Sequence, residues 1–174
     1  GLPTSWVHAQ SGAAPGAAGA IPHFDPLGQP PSTFTVELRN SVKAQLPFSD
    51  RRDFEEAKRG FIAEPPYKKI MADAGHVAWD MASYQWLLQG QDFESIHPSL
   101  QRQAILNMEY GLYEVVPGRI YQVRGYDLAN ISFIKGDTGW IIFDPLTAQE
   151  TARAALAFIN EKLGKRPVVG VVYS

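Results

Sequence analysis

The sequence predicts an α/β fold in which an irregular, mostly helical amino-terminal lobe precedes the beginning of a mixed β-sheet. Apolar residues in the lobe recur at helical spacing between proline-rich breaks, whereas those after Gly111 alternate as they do in strands. Residues 140–174 then follow the pattern of strand, helix and strand, and a crossover of this length joins two parallel strands.

Composition and charge are those of a globular protein with one ordinary domain. The chain has 174 residues, of which 45% are hydrophobic and 20% charged, and its formal net charge is −2. This balance gives no electrostatic footprint for nucleic acid, so we expect no nucleic-acid partner. The lack of cysteine excludes disulfides and thiolate zinc sites. We expect no membrane span, because no apolar run reaches the roughly 18 residues that one needs.

Residues 1–32 are predicted to form a flexible or surface-hugging arm. More than half of the first 31 residues are Gly, Ala or Pro, which bury too little apolar surface to offset the entropy of ordering. Val7-His8-Ala9 has the small-x-small pattern of a signal-peptidase site, but the charged and apolar regions of a complete signal are missing. A linker is favoured, and a signal-peptide remnant is the alternative.

Residues 33–110 are predicted to form the amino-terminal lobe. A helix is expected over about 33–46, capped by Ser32 or Thr33, and a charged helix over 51–59 follows. Two short strands are predicted within 67–80, and a third helix begins behind Pro98. The apolar stripes expected to face the core recur every four residues, at Leu38, Val42 and Leu46 and at Leu100, Ala104, Met108 and Leu112.

Residues 111–174 are predicted to begin the sheet with β-rich segments, a hairpin and a crossover. Apolar and polar residues alternate over 115–123 around Pro117-Gly118, and the polar turn 136–139 between two β-rich segments indicates a hairpin. A phosphate cradle is not favoured for the glycines of that turn, because a strand rather than a helix follows them.

The crossover helix carries its own start and stop signals. Thr147 to Glu150 matches a capping box, and Gly164 suits the left-handed end of a helix. The β-branched run before Ser174 is typical of a buried parallel strand. The face expected to be buried consists of Ala152, Leu156, Ile159 and Leu163.

The crossover places Asp144 and Ser174 at the carboxyl ends of two parallel strands, where α/β folds bind ligands. Asp144 is a candidate site residue, or alternatively a structural acid that accepts backbone N–H bonds. Ser174 is a nucleophile only in principle, since no histidine stands at a suitable spacing. The histidines are interpreted as surface or structural residues: His8, His23, His76 and His97.

Several stretches of the chain are similar in sequence to one enzyme family. They are residues 111–115, 120–130, 133–140 and 144–147, with further matches at 46–50, 59–63 and 97–100. These stretches resemble the zinc-dependent alkylsulfatases of the metallo-β-lactamase superfamily. The resemblance implies an αββα metallo-β-lactamase type of fold, of which this chain would hold the first part of the domain only.

The resemblance also implies a function for the whole enzyme. Such enzymes are sulfuric ester hydrolases, in which hydroxide activated by two zinc ions releases an alcohol and inorganic sulfate from a primary or secondary alkyl sulfate. The His-x-His-x-Asp-His motif for zinc is expected after Ser174, so the segment alone is predicted to be inactive. A homodimer with a periplasmic or secreted location is also expected. The alternatives are a non-catalytic interaction or lid module, and another hydrolase of this fold such as a thioesterase or lactonase.

Few site residues carry over from the family, and no catalytic residue or metal ligand is expected among these 174. Asp144 matches the acid that braces the metal-binding loop, and Ser174 directly precedes that loop. Tyr126, Asp127 and Asn130 match a loop that lies on the rim of the substrate pocket.

Overall fold

A computed structural model describes residues 28–174 and has a mixed α/β architecture. The predictions for residues 1–27, including the signal-peptide remnant and His8 and His23, lie outside this range. The helices are α1 (Thr33–Gln45), α2 (Arg52–Lys58), α3 (Pro98–Leu106) and α4 (Gln149–Leu163), with a short 3-10 helix at Gln85–Gln89. The strands are β1 (Phe61–Ala63), β2 (Lys69–Met71), β3 (Val77–Asp80), β4 (Gly111–Val116), β5 (Ile120–Arg124), β6 (Ile131–Lys135), β7 (Trp140–Phe143) and β8 (Val168–Val172).

Six of these strands form one sheet in the order β1-β4-β5-β6-β7-β8, and β2 and β3 form a separate hairpin. Neighbours in the sheet are antiparallel except for β7 and β8, which are parallel across the α4 crossover. The predicted hairpin at 136–139 and the predicted crossover are therefore confirmed. None of the helices within residues 28–174 has the length and apolar character needed to span a membrane.

The main core lies between one face of the sheet and α4. Trp140 and Phe133 are fully buried and meet edge to face with 6.0 Å between ring centroids. On α4 the buried face is formed by Thr151, Ala154, Ala155, Phe158 and Ile159. The predicted face was therefore only partly right, because small alanines and Phe158 face the sheet while Leu156 and Leu163 pack at its margin.

The capping box predicted at Thr147 is wrong. Helix α4 begins at Gln149, and its cap residue Ala148 has no side chain that could accept an amide hydrogen bond. The hydroxyl of Thr147 instead donates to the carboxylate of Asp127. A long-range acceptor has thus taken the place of the local cap.

The apolar stripe predicted on α1 is largely exposed, and the second stripe is divided: Leu100 faces solvent, whereas Met108 and Leu112 are buried as predicted. Leu38 on α1 is 54% exposed and Leu100 on α3 is 62% exposed, whereas the neighbouring Arg39 and Gln101 are buried. The cap predicted for α1 is confirmed, since the Ser32 hydroxyl accepts a hydrogen bond from the Thr35 amide at 3.2 Å. The lobe also contributes β1 to the main sheet, so sheet hydrogen bonds cross the predicted boundary between residues 110 and 111.

Strand β8 is not the buried strand that its sequence predicts. It lies at the edge of the sheet with β7 as its one neighbour, and its four valines are each at least 37% exposed. Its β-branched composition fits a strand, but its position leaves it uncovered within the residues that the structure describes.

Candidate functional site

Asp144 and Ser174 meet at the carboxyl ends of β7 and β8. The Ser174 amide donates to Asp144 Oδ1 at 2.8 Å, and the Ser174 hydroxyl donates to Oδ2 at 2.8 Å. These two hydrogen bonds hold the pKa of Asp144 below its usual range. The spacing of the crossover thus brought together the two residues that the sequence singled out, and Asp144 does accept a backbone N–H bond.

The backbone that follows β7 has an unusual conformation. Asp144 has φ of 51° and Leu146 has φ of 67°, a region that side-chain-bearing residues rarely occupy. The Leu146 amide closes a tight turn by donating to the Asp144 carbonyl at 2.8 Å. Two positive φ angles within three residues persist only where surrounding contacts hold them, and such strain clusters at functional sites.

Asp127 supplies one of those contacts from the loop between β5 and β6. The Thr147 amide donates to Asp127 Oδ2 at 2.9 Å, and the Thr147 hydroxyl donates to the same oxygen. The Leu128 amide donates to Oδ1 at 2.6 Å. Burial raises the pKa of Asp127, but the hydrogen bonds from Thr147, Leu128 and Thr151 outweigh it, so that the pKa is lowered overall. The carboxylate is therefore held ionised although its side chain is nearly buried.

Sequence reasoning missed Thr147 and Thr151 as partners of Asp127. Thr147 lies 20 residues after Asp127, and Thr151 lies 24 residues after it. No local pattern links residues at such separations, and the capping-box pattern gave Thr147 a competing role. The pairing follows only from the packing of the β5–β6 loop against the start of α4.

Tyr126 does not lie on the rim of a pocket, which corrects its predicted position. Its side chain is fully buried and stacks on Phe158 with 5.9 Å between ring centroids. Its hydroxyl has no hydrogen-bond partner among residues 28–174, and burial raises its pKa. The large aromatic ring at this position fills the core beneath the loop.

Asn130 and Asp127 line a cavity of about 800 Å³ between the loop, the β2–β3 hairpin and the end of α3. Asn130 is exposed, whereas most of Asp127 is turned inward towards Thr147. Whether either residue touches a substrate stays a prediction. The aromatic and apolar part of the wall includes Trp79, Tyr84, Leu87, Met108 and Tyr110.

The part of the chain that the structure describes does not form a metal centre by itself. Among residues 28–174, no three His, Asp or Glu side chains are close enough together to hold an ion. His97 accepts a hydrogen bond from the Ser99 amide at 3.2 Å and caps α3, which confirms its structural interpretation.

Comparison with curated proteins decides the relationship. An (R)-specific secondary-alkylsulfatase from a Pseudomonas species is 47% identical over 146 residues, or 84% of this chain. The chain is related to the alkylsulfatases. A linear primary-alkylsulfatase from a Pseudomonas species is 40% identical over 147 residues, and the alkyl/aryl-sulfatase of Saccharomyces cerevisiae is 40% identical over 144 residues. No protein-family model matches the chain.

Solved structures support the same relationship. The stereoselective inverting sec-alkylsulfatase Pisa1 from a Pseudomonas species superposes with a TM-score of 0.78 at 47% identity over 84% of this chain. A double mutant of that enzyme gives the same values. This chain spans only 22% of the length of the curated alkylsulfatases and 23% of the solved chain. The likeness therefore concerns about a fifth of each relative.

Proposed function

We propose that the natural protein containing this chain hydrolyses alkyl sulfate esters to an alcohol and inorganic sulfate. This segment would supply scaffold and part of the pocket wall. The observation that carries the proposal is the 47% identity to a secondary-alkylsulfatase over 84% of the chain. The solved relative with a TM-score of 0.78 supports the same fold for the matched residues.

The finer fold assignment is part of this proposal. Two antiparallel hairpins lead into a parallel crossover, and α4 covers one face of the resulting sheet. This arrangement is compatible with the first part of an αββα metallo-β-lactamase domain. Asp144 and Ser174 would lie at the edge of the sheet where such a domain places its site.

The two zinc ions rest on the family resemblance, because residues 28–174 do not provide a ligand set for them. Their ligands are expected after Ser174. What this segment contributes is the position of the backbone: Asp144 fixes the Ser174 amide and hydroxyl at 2.8 Å each. A homodimer and a periplasmic or secreted location complete the proposal.

Activity of the natural full-length protein tests the proposal directly. Purified protein is incubated with dodecyl sulfate and, separately, with each enantiomer of 2-octyl sulfate, and free sulfate and alcohol are measured. Sulfate release that a chelator abolishes and added zinc restores is the expected result. A metal-replete protein that leaves every alkyl sulfate intact but cleaves a thioester or a lactone would replace the proposal with the corresponding alternative.

Two variants connect that activity with this segment. Asp144→Ala removes both carboxylate oxygens, which accept from the Ser174 amide and from the Ser174 hydroxyl. We expect a loss of 10-fold to 100-fold in activity, of the order seen when support of a metal ligand is removed. Asp137→Ala, in the turn between β6 and β7, is the matched control and should retain full activity.

A further inference from the structure

We infer that Asp127 is a positioning residue: by binding Thr147 it holds the turn after β7 in the conformation that directs Asp144 to Ser174. Its predicted place on a substrate rim is thereby replaced by a role inside the protein. The part of the inference that concerns catalysis rests on the proposed function, whereas the part that concerns the turn does not.

The first step is the contact between Asp127 and Thr147. The carboxylate accepts two hydrogen bonds from Thr147, one from its amide at 2.9 Å and one from its hydroxyl. The Thr151 hydroxyl contributes less, because its single proton is shared between the Ala148 carbonyl at 2.9 Å and Asp127 at 3.3 Å. Thr147 is therefore the main partner of Asp127 across the chain.

The second step is that this site requires a carboxylate. Oδ1 accepts from the Leu128 amide and Oδ2 accepts from Thr147, so both sides of the group face donors. An asparagine at position 127 would place its NH₂ group against an N–H donor in either orientation of the amide. An isosteric change thus leaves one N–H donor opposed by another donor in either orientation, which weakens the tether without removing volume, and it can be used as a selective probe.

The third step is the stiffness of the link from Thr147 to Asp144. The two residues are separated by Pro145, whose ring fixes φ, and by Leu146, whose φ is positive. At the other end, the Asp144 amide donates to the Val172 carbonyl at 2.9 Å, which continues the pairing of β7 with β8. The turn is therefore fastened at both ends, and Asp127 fastens the end that no strand holds.

Without that fastening, Leu146 would relax towards negative φ, which side-chain-bearing residues prefer. Such a rotation would move the Asp144 carboxylate away from the Ser174 amide and hydroxyl. Loss of Asp127 should thus be detected at Ser174, which Asp127 does not contact. A role limited to packing of the β5–β6 loop would leave Ser174 unaffected.

Amide hydrogen exchange measured by mass spectrometry on the natural full-length protein tests this directly. In Asp127→Asn we expect about tenfold faster exchange in peptides covering 146–148 and at Ser174. Thr147→Val keeps the amide donor and loses the hydroxyl, so an increase of about threefold is expected, and Thr147→Ser should restore the wild-type rate. Asp73→Asn, the same substitution at a side chain that is 71% exposed, is the matched control.

Unchanged exchange at Ser174 in Asp127→Asn would overturn the inference. So would faster exchange spread evenly over the sheet, because it would assign Asp127 to general stability. The Thr147 link would be wrong if amides in Thr147→Val exchanged as fast as in Asp127→Asn and those in Thr147→Ser did not return to the wild-type rate. Faster exchange confined to 146–148 and Ser174 supports the inference.

Kinetics on the same variants address the catalytic part. If the proposed function holds, Asp127→Asn should lower kcat for dodecyl sulfate by 10-fold to 100-fold with KM nearly unchanged, since the residue does not touch substrate. A rise in KM alone would instead return Asp127 to the substrate rim and overturn the inference. If the wild-type protein hydrolyses no alkyl sulfate, the proposed function fails, and hydrogen exchange still decides the role of Asp127.

Discussion

The sheet region after Gly111 and the lobe before it satisfy their backbone in different ways. In the sheet, strand ladders pair the amides and carbonyls, and the side chains that become buried are mainly apolar. In the lobe, side chains form hydrogen bonds with backbone groups of the irregular segment 91–96. Gln101 accepts from the Phe93 amide and donates to the Gln91 carbonyl, and Arg39 donates to the Ile96 carbonyl.

This difference explains why the helices of the lobe bury polar residues. A carbonyl in an irregular segment needs a donor, and Arg39 and Gln101 reach those of residues 96 and 91 from α1 and α3. The faces that carry these residues then turn inward, and Leu38 and Leu100 beside them turn outward. Ordinary amphipathic reasoning assumes the opposite order, so it fails for α1 and for the start of α3, whereas Met108 and Leu112 further along the second stripe are buried as expected.

The largest change in the free energy of unfolding is expected where the sheet region loses a buried apolar side chain. Phe133→Ala removes a fully buried ring against Trp140 and should lower the free energy of unfolding by about 3–5 kcal/mol. Urea unfolding followed by tryptophan fluorescence measures it. Val169→Ala on β8, where the side chain is 52% exposed, is the control and should cost less than about 1 kcal/mol. Equal losses at the two positions would contradict the location of the core.

A smaller loss in the free energy of unfolding is expected when the polar contact between Arg39 and the lobe backbone is removed. Arg39→Ala leaves the Ile96 carbonyl without its donor at 2.9 Å and should cost about 1–3 kcal/mol. Lys43→Ala removes a cation from the same carboxylate, that of Asp92, but Lys43 is 46% exposed and donates to no backbone carbonyl within residues 28–174. Its cost should remain below about 1 kcal/mol. If the lysine variant cost as much as the arginine variant, the ion pair rather than the carbonyl contact would be the source.

Lowering the pH should reduce the free energy of unfolding in part through protonation of Asp127. Its pKa is lower in the folded chain than the value of about 3.9 expected when unfolded, so its contribution is fully present above that value. The contribution is lost as the pH falls through the folded pKa. Urea unfolding at pH 6 and pH 3 should therefore show a larger loss for the wild type than for Asp127→Asn. Parallel losses would show that the Asp127 carboxylate is not selectively stabilised by folding.

The smallest effect is expected for an ion pair that joins the two regions at the surface. Arg153 on α4 contacts Asp73 of the β2–β3 hairpin at 3.1 Å, and their side chains are 54% and 71% exposed. Asp73→Asn should change the free energy of unfolding by less than about 1 kcal/mol, with the difference vanishing at high salt. A larger change that persists in salt would indicate that the hairpin depends on this pair.

The parts of the fold that the sequence predicts correctly depend on neighbouring residues. The turn at Pro117-Gly118, the polar turn at 136–139 and the stop at Gly164 are local signals, and each is found where expected. The meeting of Asp144 with Ser174 was predictable because a right-handed crossover brings the ends of parallel strands together. The link from Asp127 to Thr147 was not, since it depends on how a loop packs against a helix.

Exposure was the least predictable property. The β-branched residues of β8 are equally suited to a central strand and to an edge strand, and only the strand order of the sheet distinguishes the two. Similarly, the pattern that placed Tyr126 in a rim loop contains nothing to indicate that its ring stacks on Phe158.

The open edge at β8 has a consequence for handling the chain. Within residues 28–174 no strand pairs with its outer side, so the N–H and C=O groups there and the exposed valines can template strand pairing between molecules. Lys165, Arg166 and Pro167 directly precede the strand and oppose such growth as charged and proline gatekeepers do. The segment should therefore associate as its concentration rises, and its solubility should depend on ionic strength. Light scattering should detect this loss of soluble protein before any unfolding probe changes.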